Sequence, residues 1–157
     1  MASLLLIGIL LSILPFGELR TGIPFLISFG FDPVLAFIIC TAANIAIIPI
    51  LFLFFDYLHS GLMRFAFYRK GFAFALRRLR KKEEKMRKSI ESYGLIALAV
   101  FTAIPLPFTG AYTAIIFAWL LGVERKRAAA FIAAGVLIAG ILVTLASVGI
   151  IHLFKIF

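Results

Sequence analysis

One stretch of this chain is used twice. Leu14-Pro15-Phe16 opens a segment that closes at Gly30, and Leu106-Pro107-Phe108 opens one that closes at Gly122, an offset of 92 residues at both ends. Under that offset Thr21 meets Thr113, Ile23 meets Ile115, Phe25 meets Phe117, Ala36 meets Ala128, and Asp32 meets Glu124. A shared proline break inside an apolar run, repeated at equal spacing, constrains the fold more than any single residue. Internal repeats of this kind, with helix breaks inside hydrophobic segments, are a sequence sign of membrane transporters.

Composition agrees. Of the 157 residues 64% are apolar. A water-soluble domain of this size must have a wet exterior and has no use for so much apolar surface. The expected class is an all-α integral membrane protein of one domain, residues 1–157. Cys40 is the single cysteine, so neither an intrachain disulfide nor a thiolate metal cluster is available. The chain has no Gln, one Asn and many Lys and Arg, a weak sign of a thermophilic source. The N-terminus lacks the basic start and small-residue cleavage site of a secretory signal and is expected to stay in the mature protein.

Four apolar runs cover residues 2–29, 33–55, 94–123 and 128–154. A spanning helix needs about 20 apolar residues, which the second and fourth runs supply directly. The first and third, broken by proline, have two readings. As kinked single crossings they place Arg125, Lys126 and Arg127 opposite the main basic stretch, 64–92. As re-entrant hairpins each enters and leaves on one side, and both basic segments share the cytoplasm. Eleven of the sixteen basic residues lie between Arg64 and Lys88, so the positive-inside rule favours the hairpins. Each repeat is then a re-entrant helical hairpin plus a transmembrane helix. Repeat one covers about 2–58 and repeat two about 94–154. A single crossing between the hairpins makes the repeats inverted.

Between them, over about 62–92, Phe65, Tyr68, Phe72, Leu76, Leu79, Met86 and Ile90 recur mostly at spacings of three and four among Lys and Arg. This predicts a basic amphipathic helix lying on an anionic cytoplasmic leaflet. Membrane orientation accounts for the basic excess, so nucleic acid is not an expected partner. Small residues such as Ala133, Gly135, Ala139 and Gly140 in the fourth run allow close helix approach, and Pro49 is expected to kink the second. Two spanning helices give thin cover to two hairpins, which implies a homodimer or larger homo-oligomer in the plasma membrane, with 62–92 and 124–127 cytoplasmic.

The chemistry concentrates at the breaks. Glu18 and Arg20 follow the first one, and ionisable residues at membrane depth default to a functional reading. A carboxylate there can load and release a proton near neutrality, and a guanidinium can hold a phosphate or carboxylate in two-point fashion. The structural alternative is that Glu18 sits at a half-helix start and pairs with Arg20 to lock the hairpin. The tips comprise Pro15, Gly17 and Pro24 in the first repeat, and Pro105, Pro107, Thr109 and Gly110 in the second. Thr109 is a candidate cap for the half-helix that follows it. Thr21, Asn44, Tyr112 and Thr113 are candidates for touching substrate, although internal hydrogen bonding is the commoner fate of such groups, and interhelical glue the commoner role of Asn44. Asp32 reads as a helix cap. Asp56, His59 and His152 stand at run ends, where polar residues are cheap. No metal-spaced His pair, phosphate loop or Gly-x-Ser-x-Gly occurs, so neither enzymatic activity nor a metal or cofactor is expected.

The segments "LPFGELRTGIP" and "AIPLPFTGAYTA", each ahead of a long apolar helix, resemble the small multi-drug export family, which is similar in architecture to the DedA superfamily of lipid-carrier transporters and scramblases. The resemblance covers nearly the whole chain. It implies opposed re-entrant hairpins and a transport role, often tied to the proton-motive force, with Glu18 matching the hairpin acid of DedA-like proteins. Those proteins also carry arginines around the second hairpin. Here that tip has none, and Arg125 and Arg127 lie beyond it, so Arg20 can take their place only if the two tips face each other. The expected function is a proton-coupled carrier of an amphipathic or small organic substrate. A lipid flippase or scramblase is the alternative, and a non-transporting scaffold the third.

Overall fold

The computed structural model describes residues 2–15, 17–104 and 109–156, and the side chains of all of these except those at positions 75, 78, 80, 81 and 151–156. It is helical, with no strand among the described residues. The order is α1 (Ala2–Ile13), α2 (Leu19–Ser28), α3 (Pro33–Leu53), a π turn (Phe54–Leu58), α4 (His59–Leu62), α5 (Ala66–Tyr93), α6 (Ile96–Ala103), α7 (Ala111–Leu120) and α8 (Arg125–Ile156).

The 92-residue offset is kept in the backbone. It carries α2 onto α7, residue for residue, and the start of α3 onto the start of α8. Both α2 and α7 end in the same cap. The Phe31 N–H donates to the Leu26 carbonyl at 3.1 Å and Gly30 N–H to Ile27 at 3.0 Å; Val123 N–H donates to Ala118 at 2.9 Å and Gly122 N–H to Trp119 at 3.2 Å. This pair of bonds needs a left-handed residue at its centre, supplied by Gly30 at φ 85° and Gly122 at φ 66°. The next helices start alike, with Ala36 N–H on the Asp32 carbonyl and Ala128 N–H on that of Glu124, both at 2.9 Å. Asp32 is the cap the sequence suggests: its Oδ1 accepts from Leu35 N–H at 2.9 Å, and Pro33 opens the helix.

Packing is paired in the same way. Helix α1 packs on α2 as α6 does on α7, α1 on α3 as α6 on α8, and α2 on α8 as α7 on α3. Glycines permit the closest of these approaches. At Gly22 a Cβ would fall 2.7 Å from the Gly8 carbonyl oxygen of α1, and at Gly135 it would fall 2.6 Å from the Thr102 Cβ of α6. Ile23, Leu26, Ile48, Leu98, Ile115 and Phe117 form the fully buried centre.

Two helical stretches, Pro33–Leu62 and Arg125–Ile150, are long and apolar enough to cross a membrane. The other apolar helices, α1, α2, α6 and α7, have 12, 10, 8 and 10 residues, or about 12–18 Å each at 1.5 Å per residue. Pro49 lies within α3, and the departure from α geometry comes one turn later, at the π turn. There Asp56 reaches the first residue of α8: Arg125 Nη2 stands 2.7 Å from Asp56 Oδ1. The end of α3 and the start of α8 therefore lie together.

Helix α5 divides its apolar stripe. Of the stripe assigned to the leaflet, Met86 is buried, and Phe72, Leu79 and Ile90 pack against the core. Much of the apolar face is thus turned onto the protein itself. Phe72 meets His59 with ring centroids 4.4 Å apart, and Tyr68 O–H lies 2.9 Å from His59 Nδ1. Phe65, Phe67 and Phe74 remain exposed on this basic helix.

Candidate functional site

The two breaks meet. Helix α2 starts at Leu19 with Glu18 as its N-cap residue, and α7 starts at Ala111 with Gly110 as its own. The two are the same position under the 92-residue offset, and both have positive φ, 50° for Glu18 and 134° for Gly110. Glycine adopts such a backbone at little cost, whereas a carboxylate-bearing residue is strained there. The Glu18 carboxylate lies against Gly110, where a Cβ would collide with it. Its Oε1 accepts from the Tyr112 N–H at 3.4 Å. The first N–H groups of a helix and its dipole both favour an anion at that end, so the first break places its carboxylate where the second can hold one.

Two further side chains cross between the breaks. Arg20 Nη2 donates to the Thr109 carbonyl at 2.7 Å, to Thr109 Oγ1 at 3.0 Å and to the Ile104 carbonyl at 3.4 Å. In the other direction the Tyr112 hydroxyl donates to the Ile13 carbonyl at the end of α1. Thr109 is not the side-chain cap expected of it: its hydroxyl accepts from Arg20 and donates to the Ile104 carbonyl at 2.7 Å. Bridging the breaks takes that hydroxyl away from the start of α7.

The remaining candidates divide. Pro15 and Gly17 lie in the turn between α1 and α2. Pro24, expected at a tip, sits inside α2 instead, where it has no N–H to give the Arg20 carbonyl. Pro105 and Pro107 lie outside the described residues. Thr21 Oγ1 stays within its own hairpin, 3.4 Å from the Leu11 carbonyl and 3.3 Å from that of Glu18. Thr113 is half-buried on α7 and joins none of these contacts among the described residues. Asn44 is wholly buried and ties α3 to α1, its Nδ2 donating to the Ser12 carbonyl at 2.8 Å. A cavity of about 10 Å³ lies behind the breaks, bounded by Glu18, Arg20, Asn44 and Thr102 with Val136, Ala139 and Val143 of α8.

A larger cleft, about 570 Å³, opens elsewhere beside Trp119, Val123, Glu124, Arg125 and Lys126. Its charges are largely spoken for: Arg125 pairs with Asp56, and Arg127 Nε stands 2.9 Å from Glu124. Close by, His59 is buried among Phe55, Tyr68, Phe72 and Trp119. Asp56 and His59 carry more structure than their run-end positions suggest. His152 lies among the side chains that are not described.

The family described as putative small multi-drug export proteins matches residues 18–142. The chain belongs to this family. The match begins at Glu18 and takes in both N-cap positions, the contacts of Glu18 and Arg20 with the second break, and the first half of α8. No curated protein and no solved structure matches the chain. Family membership, together with the two long apolar helices, makes it a membrane protein and supports a transporter in general.

Proposed function

We propose that this protein is a proton-coupled carrier of an amphipathic or small organic substrate, with Glu18 as the proton-loading group and the paired breaks as its gate. In this reading α1–α2 and α6–α7 are re-entrant hairpins entering from opposite faces, α3 and α8 span the membrane, and the two halves are inverted repeats. Two observations support the topology. The four hairpin helices are each too short to cross. The Asp56–Arg125 pair at 2.7 Å joins the end of α3 to the start of α8, which supports one side for both, whereas a single crossing by residues 94–123 would separate them. The basic segments 62–92 and 124–127 then share the cytoplasmic face. A homodimer or larger assembly would complete the cover of the hairpins.

The observation that carries the function is the Glu18 carboxylate seated on Gly110 at the start of α7. As an anion it is held by the α7 N–H groups and dipole; once protonated it loses that attraction, and the breaks part. Loading a proton thus opens the contact that separates the two sides. Arg20, anchored on Thr109, keeps a positive charge at the same place and offers an anionic or polar substrate a partner when the contact opens. Backbone at membrane depth is tolerated where it is enclosed by protein or lines a cavity, and Glu18 and Arg20 border one.

The test is proton flux in vesicles holding the purified protein under a pH gradient, with a lipophilic cation or a lipid phosphate supplied. Wild type should show substrate-dependent flux that Glu18→Gln abolishes while remaining folded. Equal flux in both would remove Glu18 from the mechanism. Lipid exchange that proceeds without any gradient would assign the protein to passive lipid movement instead.

A further inference from the structure

We infer that the proton reaches Glu18 through a water held by Asn44, along a path continued by Thr41 toward the end of α3 that carries Asp32. This rests on the carrier reading above and adds to it a route and a side of entry.

Two polar atoms on α3 are buried without a hydrogen-bond partner among the described residues, Asn44 Oδ1 and Thr41 Oγ1. The residues are 0% and 3% exposed. Three positions apart on a helix, they lie on one side of it. The bond from Asn44 Nδ2 to the Ser12 carbonyl fixes the amide and commits its donor end, so its free end is an acceptor. Buried acceptors of this kind are satisfied in nearly all proteins, by protein or by ordered water. Asn44 borders the cavity of about 10 Å³ that it shares with Glu18, Arg20 and Thr102, a volume that suits one water.

Chemistry selects the occupant. Asn44 Oδ1 and the Glu18 carboxylate both accept, and the Thr102 hydroxyl already gives its proton to the Leu98 carbonyl at 2.8 Å. A water has two protons for those two acceptors. A metal cation is disfavoured, because the Arg20 guanidinium borders the same space. Thr41 stands one turn nearer the Asp32 end. A Cβ at Gly140 of α8 would lie 2.7 Å from its hydroxyl, so glycine at that position leaves Thr41 Oγ1 against bare backbone. Both bare groups thus lie toward α8, Thr41 Oγ1 beside Gly140 and Asn44 on the cavity that Val136, Ala139 and Val143 help to bound.

In the transfer, a hydronium arriving along this path gives up one proton through the cavity water. An O–H bond of that water breaks, one forms at Glu18, and a neutral acid and water remain; nothing is oxidised or reduced. The charged and titratable groups that face Glu18 are Arg20 on its own helix and Tyr112 on α7. Among the described residues, α8 lends the cavity Val136, Ala139 and Val143. On α3 the Cys40 thiol lies by Ser12. Asn44 and Thr41 are positioning residues, acting through water.

Thr41→Val separates this role from a structural one. Removing a bare buried hydroxyl in favour of a methyl leaves melting unchanged or raises it. Proton uptake, followed by stopped flow with a dye enclosed in the vesicles, should nonetheless slow about tenfold, the weight of one lost hydrogen bond in the barrier. Thr41→Ser should restore it. Asn44→Leu should slow it at least as much. If Thr41→Val runs at the wild-type rate while Glu18→Gln is inactive, the path is wrong and the carrier stands. If Glu18→Gln also runs at the wild-type rate, the carrier reading falls and the path with it. A slowed Thr41→Val with a lowered melting temperature, not restored by Ser, assigns Thr41 to packing and overturns the path.

Discussion

Helices α2 and α7 begin in the same way, from an N-cap residue with positive φ, and end in the same glycine cap. Their entrances differ in chemistry. The first has Glu18 at the N-cap position and Arg20 two residues on; the second has Gly110 and Tyr112. The duplicated backbone presents an acid from one half to a glycine-lined helix start in the other. Neither half holds this arrangement alone, because the acid needs the space that Gly110 leaves and the N–H groups of α7. A repeat can therefore stay symmetric in backbone and become asymmetric in chemistry by changing one residue type at one matched position.

The comparison is broken most severely by Glu18→Gln, which should reduce gradient-driven flux to background with the fold retained, as vesicle flux and thermal melting will show. Gly110→Ala comes next. It meets both the Glu18 carboxylate and an unfavourable φ of 134°, and should cost roughly 1–3 kcal/mol in melting experiments along with most of the flux. The matched control is Gly30→Ala, where φ is 85° but nothing lies within 4 Å; it should cost only about 1 kcal/mol and spare transport. Glu18→Gly sharpens the contrast in the opposite sense. Relieving the positive φ should raise stability by a few tenths to about 1 kcal/mol while flux is lost. A destabilised Glu18→Gly would mean that the carboxylate contributes more than its backbone costs.

Smaller effects are expected away from the breaks. Asp56→Asn weakens the pair that brings the ends of α3 and α8 together. With the Arg125 side chain 64% exposed, the loss should be about 1 kcal/mol. At the edge of α5, burial raises the Tyr68 phenol above its ordinary 10.0. A raised folded value means that the neutral phenol stabilises the fold below pH 10.0, and that this contribution is lost as pH climbs from there through the folded value. Melting should decline over that alkaline window in wild type, and Tyr68→Phe should flatten the decline.

Much of this was legible in the sequence, for reasons that are local. Gly30, Gly122, Asp32 and Pro33 sit where a cap or a left-handed turn restricts the residue type, so the letters report the backbone directly. The spacing of 92 carried that signal from one half to the other. The repeat suggested that the breaks meet, but which residues join them was not legible, because Arg20 and Thr109 are 89 residues apart and nothing near either names its partner. The α5 stripe was visible as a period, but a period does not say whether lipid or protein covers it; Phe72 on His59 decides for protein at that position. Thr41 gave no signal, since a bare hydroxyl in an apolar run looks the same as one bonded to its own helix.

The side chains that join the two breaks also bear on how such a molecule feels a voltage. On the proposed re-entrant topology, if water follows each hairpin to its tip, the insulating layer shrinks to the short span of Glu18, Arg20, Thr109 and Tyr112. The electric field across the membrane is then concentrated there. A unit charge moved through the full drop gains about 2.3 kcal/mol per 100 mV, so a short displacement of Glu18 or Arg20 collects most of that energy. The charged half of the repeat would act as a voltage sensor with almost no travel, and transport would respond to membrane potential even at equal pH on both sides.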